Sequence, residues 1–199
     1  MKKLHQYLGF LMLLPFVAWA ITGVFFFFKP GYKEAYQPLL IKYYPIETRI
    51  FPSNKTDWLE IRQLNTILGD HLMVKTLEGW QHLSSKTLTE VEQPNSTEIA
   101  LLVNDAIKSN QDRYGEIKSI EENLITTTTD VRITLDWNNM TLRQQGVDTD
   151  FINTIYNIHY LRWTGVKALD QVLGVVGLFL VLLLAGIGVL MTIKKHKTT

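Results

Sequence analysis

Two uncharged apolar runs, Leu8 to Phe28 and Gln171 to Ile193, enclose a polar middle that holds every acidic residue of the chain. A helix of roughly 20 apolar residues crosses the hydrocarbon layer of a bilayer. At 21 and 23 residues, each run is long enough to span. Lys2 and Lys3 precede the first run, Lys194, Lys195 and Lys197 follow the second, and neither flank carries Asp or Glu. Residues 29–170 hold 15 Lys and Arg against 19 Asp and Glu, a net of −4. The positive-inside tendency then places both termini in the cytoplasm and the middle outside it. The expected segments are a cytoplasmic N-terminus 1–7, a transmembrane helix 8–28, an exported domain 29–147, an amphipathic juxtamembrane helix 148–165, a second transmembrane helix 171–193 and a cytoplasmic tail 194–199. Ala18-Trp19-Ala20 also resembles a leader cleavage site, but a leader's apolar core is about 7–15 residues and this run continues to Phe28. An uncleaved anchor is therefore expected, with a cleaved leader as the alternative.

About 140 residues remain for one compact domain with its own core. With no cysteine in the sequence, disulfides, thiolate metal sites and iron–sulfur ligation are excluded. Nucleic acid is not an expected partner, since the exported part shows no basic patch and no binding motif. Hydrolase, phosphate-loop and dinucleotide signatures are missing as well. Glu121-Glu122 reads as a solvated turn, and Asp148 with Asp150 as acids favouring a helix N-terminus.

Within the exported part, residues 30–52 read as an extended connector. Trp58, Ile61, Leu64 and Leu68 have helical spacing across 57–68, and 72–83 reads as a hairpin across Glu78-Gly79. Ser96 is placed to cap a helix whose apolar face is Ile99, Leu102, Val103, Ala106 and Ile107. Strands follow at 117–120, 124–128, 131–137 and 141–144. A turn at Asn138-Asn139 pairs Trp137 with Met140 and Leu135 with Leu142 on one sheet face. Helix, strand, strand occurs twice in this reading. It predicts an α+β domain with helices on one side of antiparallel sheet, flanked by two transmembrane helices.

The segment LHQYLG before an apolar run ending in Thr22-Gly23, the two helix-then-strand segments, and IYNIHYLRW before a glycine-containing span together resemble the PepSY-associated transmembrane family of bacteria. That resemblance implies the bacterial inner membrane and a periplasmic PepSY-like domain that binds or inhibits a partner. Larger relatives have more membrane helices, are associated with iron uptake and the reduction of siderophore-bound iron, and in some cases bind b-type haem through membrane histidines. Two spans depart from the four-helix form.

Against that background, His5 with Gly9 one turn further in leaves room for a porphyrin plane; the alternative is an interfacial histidine. His159 shares a helical face with Ile152, Ile155 and Tyr156, and Arg162 could meet the propionates of a haem it ligates. The alternative is an amphipathic helix anchored by Trp163 and Arg162. His5 and His159 cannot share one iron, because roughly 30 Å of hydrocarbon separates them. A homodimer could pair each with its copy. His71 and His82 are expected as surface residues about 13 Å apart along their strands, so no metal site is assigned to them. The functional expectation is a partner-binding membrane protein accessory to an iron-uptake or redox system and not an enzyme on its own. A dimeric haem electron carrier and a periplasmic protease inhibitor or sensor are the alternatives.

Overall fold

The computed structural model describes residues 2–47 and 57–196. In chain order its elements are α1 (Lys2–Phe28), α2 (Tyr32–Ala35), β1 (Glu60–Thr66), β2 (Gly69–Thr76), β3 (Gly79–Leu83), α3 (Ser96–Ile107), α4 (Gln111–Tyr114), β4 (Ile117–Glu121), β5 (Leu124–Thr127), β6 (Arg132–Asp136), β7 (Thr141–Gln145), α5 (Val147–His159) and α6 (Lys167–His196). They form two compact units, Met1–Lys33 with Thr149–Thr199, and Glu34–Asp148. The last part of the expected connector, 48–52, and the tail residues 197–199 lie outside the described residues.

In the first unit, α1 and α6 are both long and apolar enough to cross a membrane. They pack antiparallel: Trp19 meets Gly177 near one end, and His5 meets Gly188 near the other. Small residues let helix backbones approach closely where lipid offers no hydrophobic drive for association. α5 ends at His159, earlier than the 148–165 reading. Arg162 N–H bonds the Asn157 carbonyl and Leu161 N–H bonds the Ile158 carbonyl, the 6→1 and 5→2 pair of a Schellman cap. The left-handed position of that cap usually falls to glycine, yet Leu161 occupies it with φ 55°. Its side chain is buried, and Cδ1 lies 2.9 Å from where a Gly177 Cβ would stand. Packing at the corner therefore offsets a backbone cost of roughly 1 kcal/mol.

The second unit is an α+β domain with two antiparallel sheets, ordered β1-β2-β3 and β4-β5-β6-β7. Asn95, not Ser96, caps α3. Its side chain accepts from Thr97 N–H and Glu98 N–H while the Glu98 carboxylate receives the Asn95 N–H, a complete capping box. The buried face Ile99, Leu102, Val103 and Ile107 joins Ile125, Ile133, Leu135, Trp137, Met140 and Leu142 in the main core. Leu135 pairs with Leu142 as the turn chemistry predicts. Leu39 and Ile41 of the connector are buried in the same core.

Residues 57–68 do not form the expected helix. They supply β1, paired along its whole length with β2. A helix of that length is marginal unless it buries a face, and Ile61 of the presumed face is exposed. Gly69, at φ 103°, closes a tight reversal that keeps the two strands adjacent. The first segment is thus a three-stranded meander, so helix, strand, strand occurs only once in this domain. The next hairpin turns one residue earlier than expected: Thr76 pairs with Gly79, leaving Leu77-Glu78 as the loop. Thr76 Oγ1 fixes that loop by accepting from Glu78 N–H and donating to the Gly79 carbonyl.

Candidate functional site

His159, the last residue of α5, is held by two groups of α1. Trp19 Nε1–H donates to the His159 backbone carbonyl at 2.7 Å, and the Thr22 hydroxyl lies 2.8 Å from His159 Nδ1. Thr22 Oγ1 is also 2.7 Å from the Ala18 carbonyl, one turn back on its own helix. A hydroxyl has a single proton and a carbonyl can only accept. The proton therefore goes to Ala18, and the Thr22 oxygen accepts from His159 Nδ1–H. This fixes the tautomer whose Nε2 carries a lone pair, the nitrogen that a metal or haem iron would use when Nδ1 is anchored. Phe26 stands edge-on to the imidazole at 4.9 Å, and Tyr156 stacks on Phe26 at 4.6 Å. In the sequence Thr22 stands out only near the end of the first apolar run and Trp19 only within a possible cleavage site, and neither is marked as a partner of His159.

His5 lies within α1 and faces α6. Its Cε1 is 3.4 Å from the position of a Gly188 Cβ, so the ring packs directly on that glycine. His5 Nδ1 is buried with no hydrogen-bond partner among the described residues. Gly9 has open space where a Cβ would stand. Thr22, bonded to His159, is about 25 Å along α1 from His5 at about 1.5 Å per residue. The two imidazoles of one chain are thus held apart. Arg162 does not accompany His159 toward α1. Its guanidinium lies 5.4 Å from the Tyr160 ring centroid, and it lines a cavity with Lys167 and Asp170 at the start of α6.

The second unit holds another histidine arrangement, and here the structure overturns the expectation of two separated surface residues. His71 and His82 are 5% and 1% exposed, and His71 Nδ1 lies 3.0 Å from His82 Nε2. The earlier turn explains the change: His82 stands opposite Met73 rather than Lys75, which brings the two rings to diagonal neighbour positions on one face. Thr66 Oγ1 lies 2.7 Å from His71 Nε2 and accepts from Leu68 N–H at 3.1 Å. Trp137 packs against both rings, with centroids 4.3 Å from His82 and 5.6 Å from His71. Among the described residues, neither Trp137 Nε1 nor His82 Nδ1, both buried, completes a hydrogen bond.

Burial pushes both imidazoles down to about 4 from an ordinary 6.5, and for His82 the neighbouring His71 adds to it while the Trp137 backbone opposes it. Both rings are therefore neutral at pH 7. Neutrality suits the geometry, since their shared bond needs one bare nitrogen facing one N–H. Among the described residues, no three His, Cys, Asp or Glu side chains converge as a metal site would require. The pair is best understood as a buried polar link in the core.

Similarity to known proteins is confined to one finding. A family model described as the PepSY-associated TM region matches residues 2–199. No curated protein and no solved structure was found to match. Two helices long and apolar enough to span a membrane stand at either end of an α+β unit, and the family match runs through all of these elements: the chain is a membrane protein that belongs to the PepSY-associated TM region family.

Proposed function

We propose that this is a bacterial inner-membrane accessory protein whose exported α+β domain binds a protein partner belonging to an iron-uptake or redox system. The supporting observation is apolar surface on that domain. Leu77, at the apex of the β2–β3 hairpin, is 91% exposed, and Leu59, just before the edge strand β1, and Ile61, within it, are exposed too. A leucine at a hairpin apex forgoes the polar chemistry usual in turns, and an edge strand is a template for pairing with another chain. The iron or redox setting rests on the family resemblance. The orientation rests on the lysine-bearing ends and the net acidic middle.

A photo-crosslinking residue at position 77, introduced in cells, is expected to yield one discrete adduct with a component of such a system. Absence of any adduct from positions 59, 61 and 77, or adducts only with unrelated abundant proteins, refutes the reading. Lysine labelling from outside intact cells is expected to spare both tails; labelled tails would reverse the orientation.

A second reading, a dimeric electron carrier holding b-type haem, is favoured by the anchored tautomer of His159 and by the unpartnered Nδ1 of His5. His159 and His5 would each face their own copy in the second chain, and the haem would supply one-electron chemistry. Protein purified from haem-replete cells would show a Soret band that His159→Ala diminishes. A featureless spectrum in that region rules this reading out.

A further inference from the structure

At the corner between α5 and α6 lies a cavity of about 590 Å³ lined by Asn157, Arg162, Lys167, Asp170, Gln171 and Gly174, among others. It belongs wholly to the membrane unit and sits at the first turns of a span-length apolar helix. Its charges are mixed, and Arg162 acts on Asp170 from beyond ion-pair distance. Among the described residues, neither Arg162 nor Lys167 forms an ion pair within 4 Å. Asp170 is only 9% exposed, yet it lines the cavity. One of its oxygens is fully engaged, accepting from the Thr164 hydroxyl at 2.8 Å and Thr164 N–H at 3.0 Å. The Trp163 backbone N–H also approaches this carboxylate.

We propose that this cavity binds the zwitterionic headgroup of an aminophospholipid, phosphatidylethanolamine. Arg162 and Lys167 would hold the phosphodiester, and the carboxylate of Asp170 would accept from the primary ammonium. Guanidinium and ammonium groups are the usual phosphate partners. A near-buried carboxylate lining the cavity suits a donor cation. The amides of Asn157 and Gln171 supply further donors to phosphate oxygens. Gly174, which has no side chain, and Val175 continue the lining along the apolar helix, where an acyl chain would follow. Exposed Tyr160 and Trp163 flank the corner, as amphipathic aromatics do at headgroup depth. A purely anionic headgroup would leave Asp170 facing like charge, and a choline headgroup carries no N–H to donate.

Native mass spectrometry of the full chain tests this, with delipidated protein offered phosphatidylethanolamine, phosphatidylcholine or phosphatidylglycerol of identical acyl chains. About tenfold preferential retention of the ethanolamine lipid over the choline lipid is expected, the factor typical of one charge-assisted hydrogen bond. Asp170→Asn keeps an acceptor for Thr164 and should abolish that preference. The Arg162→Gln/Lys167→Gln double variant should lower retention of all three lipids. Inorganic phosphate, added as a competitor, should not displace the lipid. Equal retention of ethanolamine and choline lipids by the wild-type chain, or an undiminished preference in a folded Asp170→Asn variant, overturns the proposal. Displacement by phosphate would show an anion site instead, and would overturn it too.

Discussion

Acidification should loosen the α+β domain well before its carboxylates titrate. His71 and His82 carry folded values of about 4 against an ordinary 6.5, so between these limits the unfolded chain binds protons that the folded domain refuses. Stability is then greatest above pH 6.5 and declines as pH falls toward 4. From pH 7 to pH 5 the loss is ~2 kcal/mol for one such histidine and ~4 kcal/mol if both rings stay neutral in the fold. A domain stability of about 5–15 kcal/mol makes that a large fraction. The decisive assay is amide hydrogen exchange in β2 and β3 of the detergent-solubilised chain at pH 7, 6 and 5, corrected for intrinsic exchange rates. Protection should drop by roughly 10- to 1000-fold across the series, at 1.4 kcal/mol per factor of ten. In a His71→Asn/His82→Gln variant, the dependence should flatten. Protection that is constant from pH 7 to 5 in the native chain, or an equal slope in the variant, refutes the assignment of two neutral buried imidazoles.

Other substitutions probe the joints of the structure. Gly177→Val adds bulk 2.9 Å from Leu161 Cδ1 and should lower thermal stability by about 1–3 kcal/mol; Leu161→Ala should relieve much of that in the double variant. Thr22→Val removes the acceptor for His159 Nδ1–H and should cost about 1 kcal/mol in thermal unfolding, with Thr22→Ser recovering most of it. Asn95→Ala deletes both hydrogen bonds accepted by the α3 cap, and a loss of about 1 kcal/mol in chemical unfolding followed by circular dichroism is expected.

The membrane helices were legible because length and uniform apolarity are strong signals, and α3 because its buried positions recur at helical spacing. β1 was not. Trp58, Ile61, Leu64 and Leu68 match a helical period, but β2 supplies backbone partners for the whole strand, a tertiary fact with no local trace. The His71–His82 pair was missed through a single turn residue. Reading the loop as Glu78-Gly79 displaced the register and put two neighbours apart. Thr76 held the missing clue, since its hydroxyl organises the true loop. The end of α5 was misplaced because Leu161 is a poor sequence marker for a left-handed cap, its preference being set by contact with Gly177. For His159 the position on a helical face was readable, but its tautomer depended on Thr22, 137 positions away in the chain.

The indole of Trp19 grips the main-chain oxygen of residue 159 and not its imidazole. Location and chemistry at that spot are therefore supplied by different atoms. Any residue substituted at 159 would still be offered the same berth against α1. An alanine there would erase the ring while leaving the indole bond intact, which makes this position a clean place to ask what the imidazole is for.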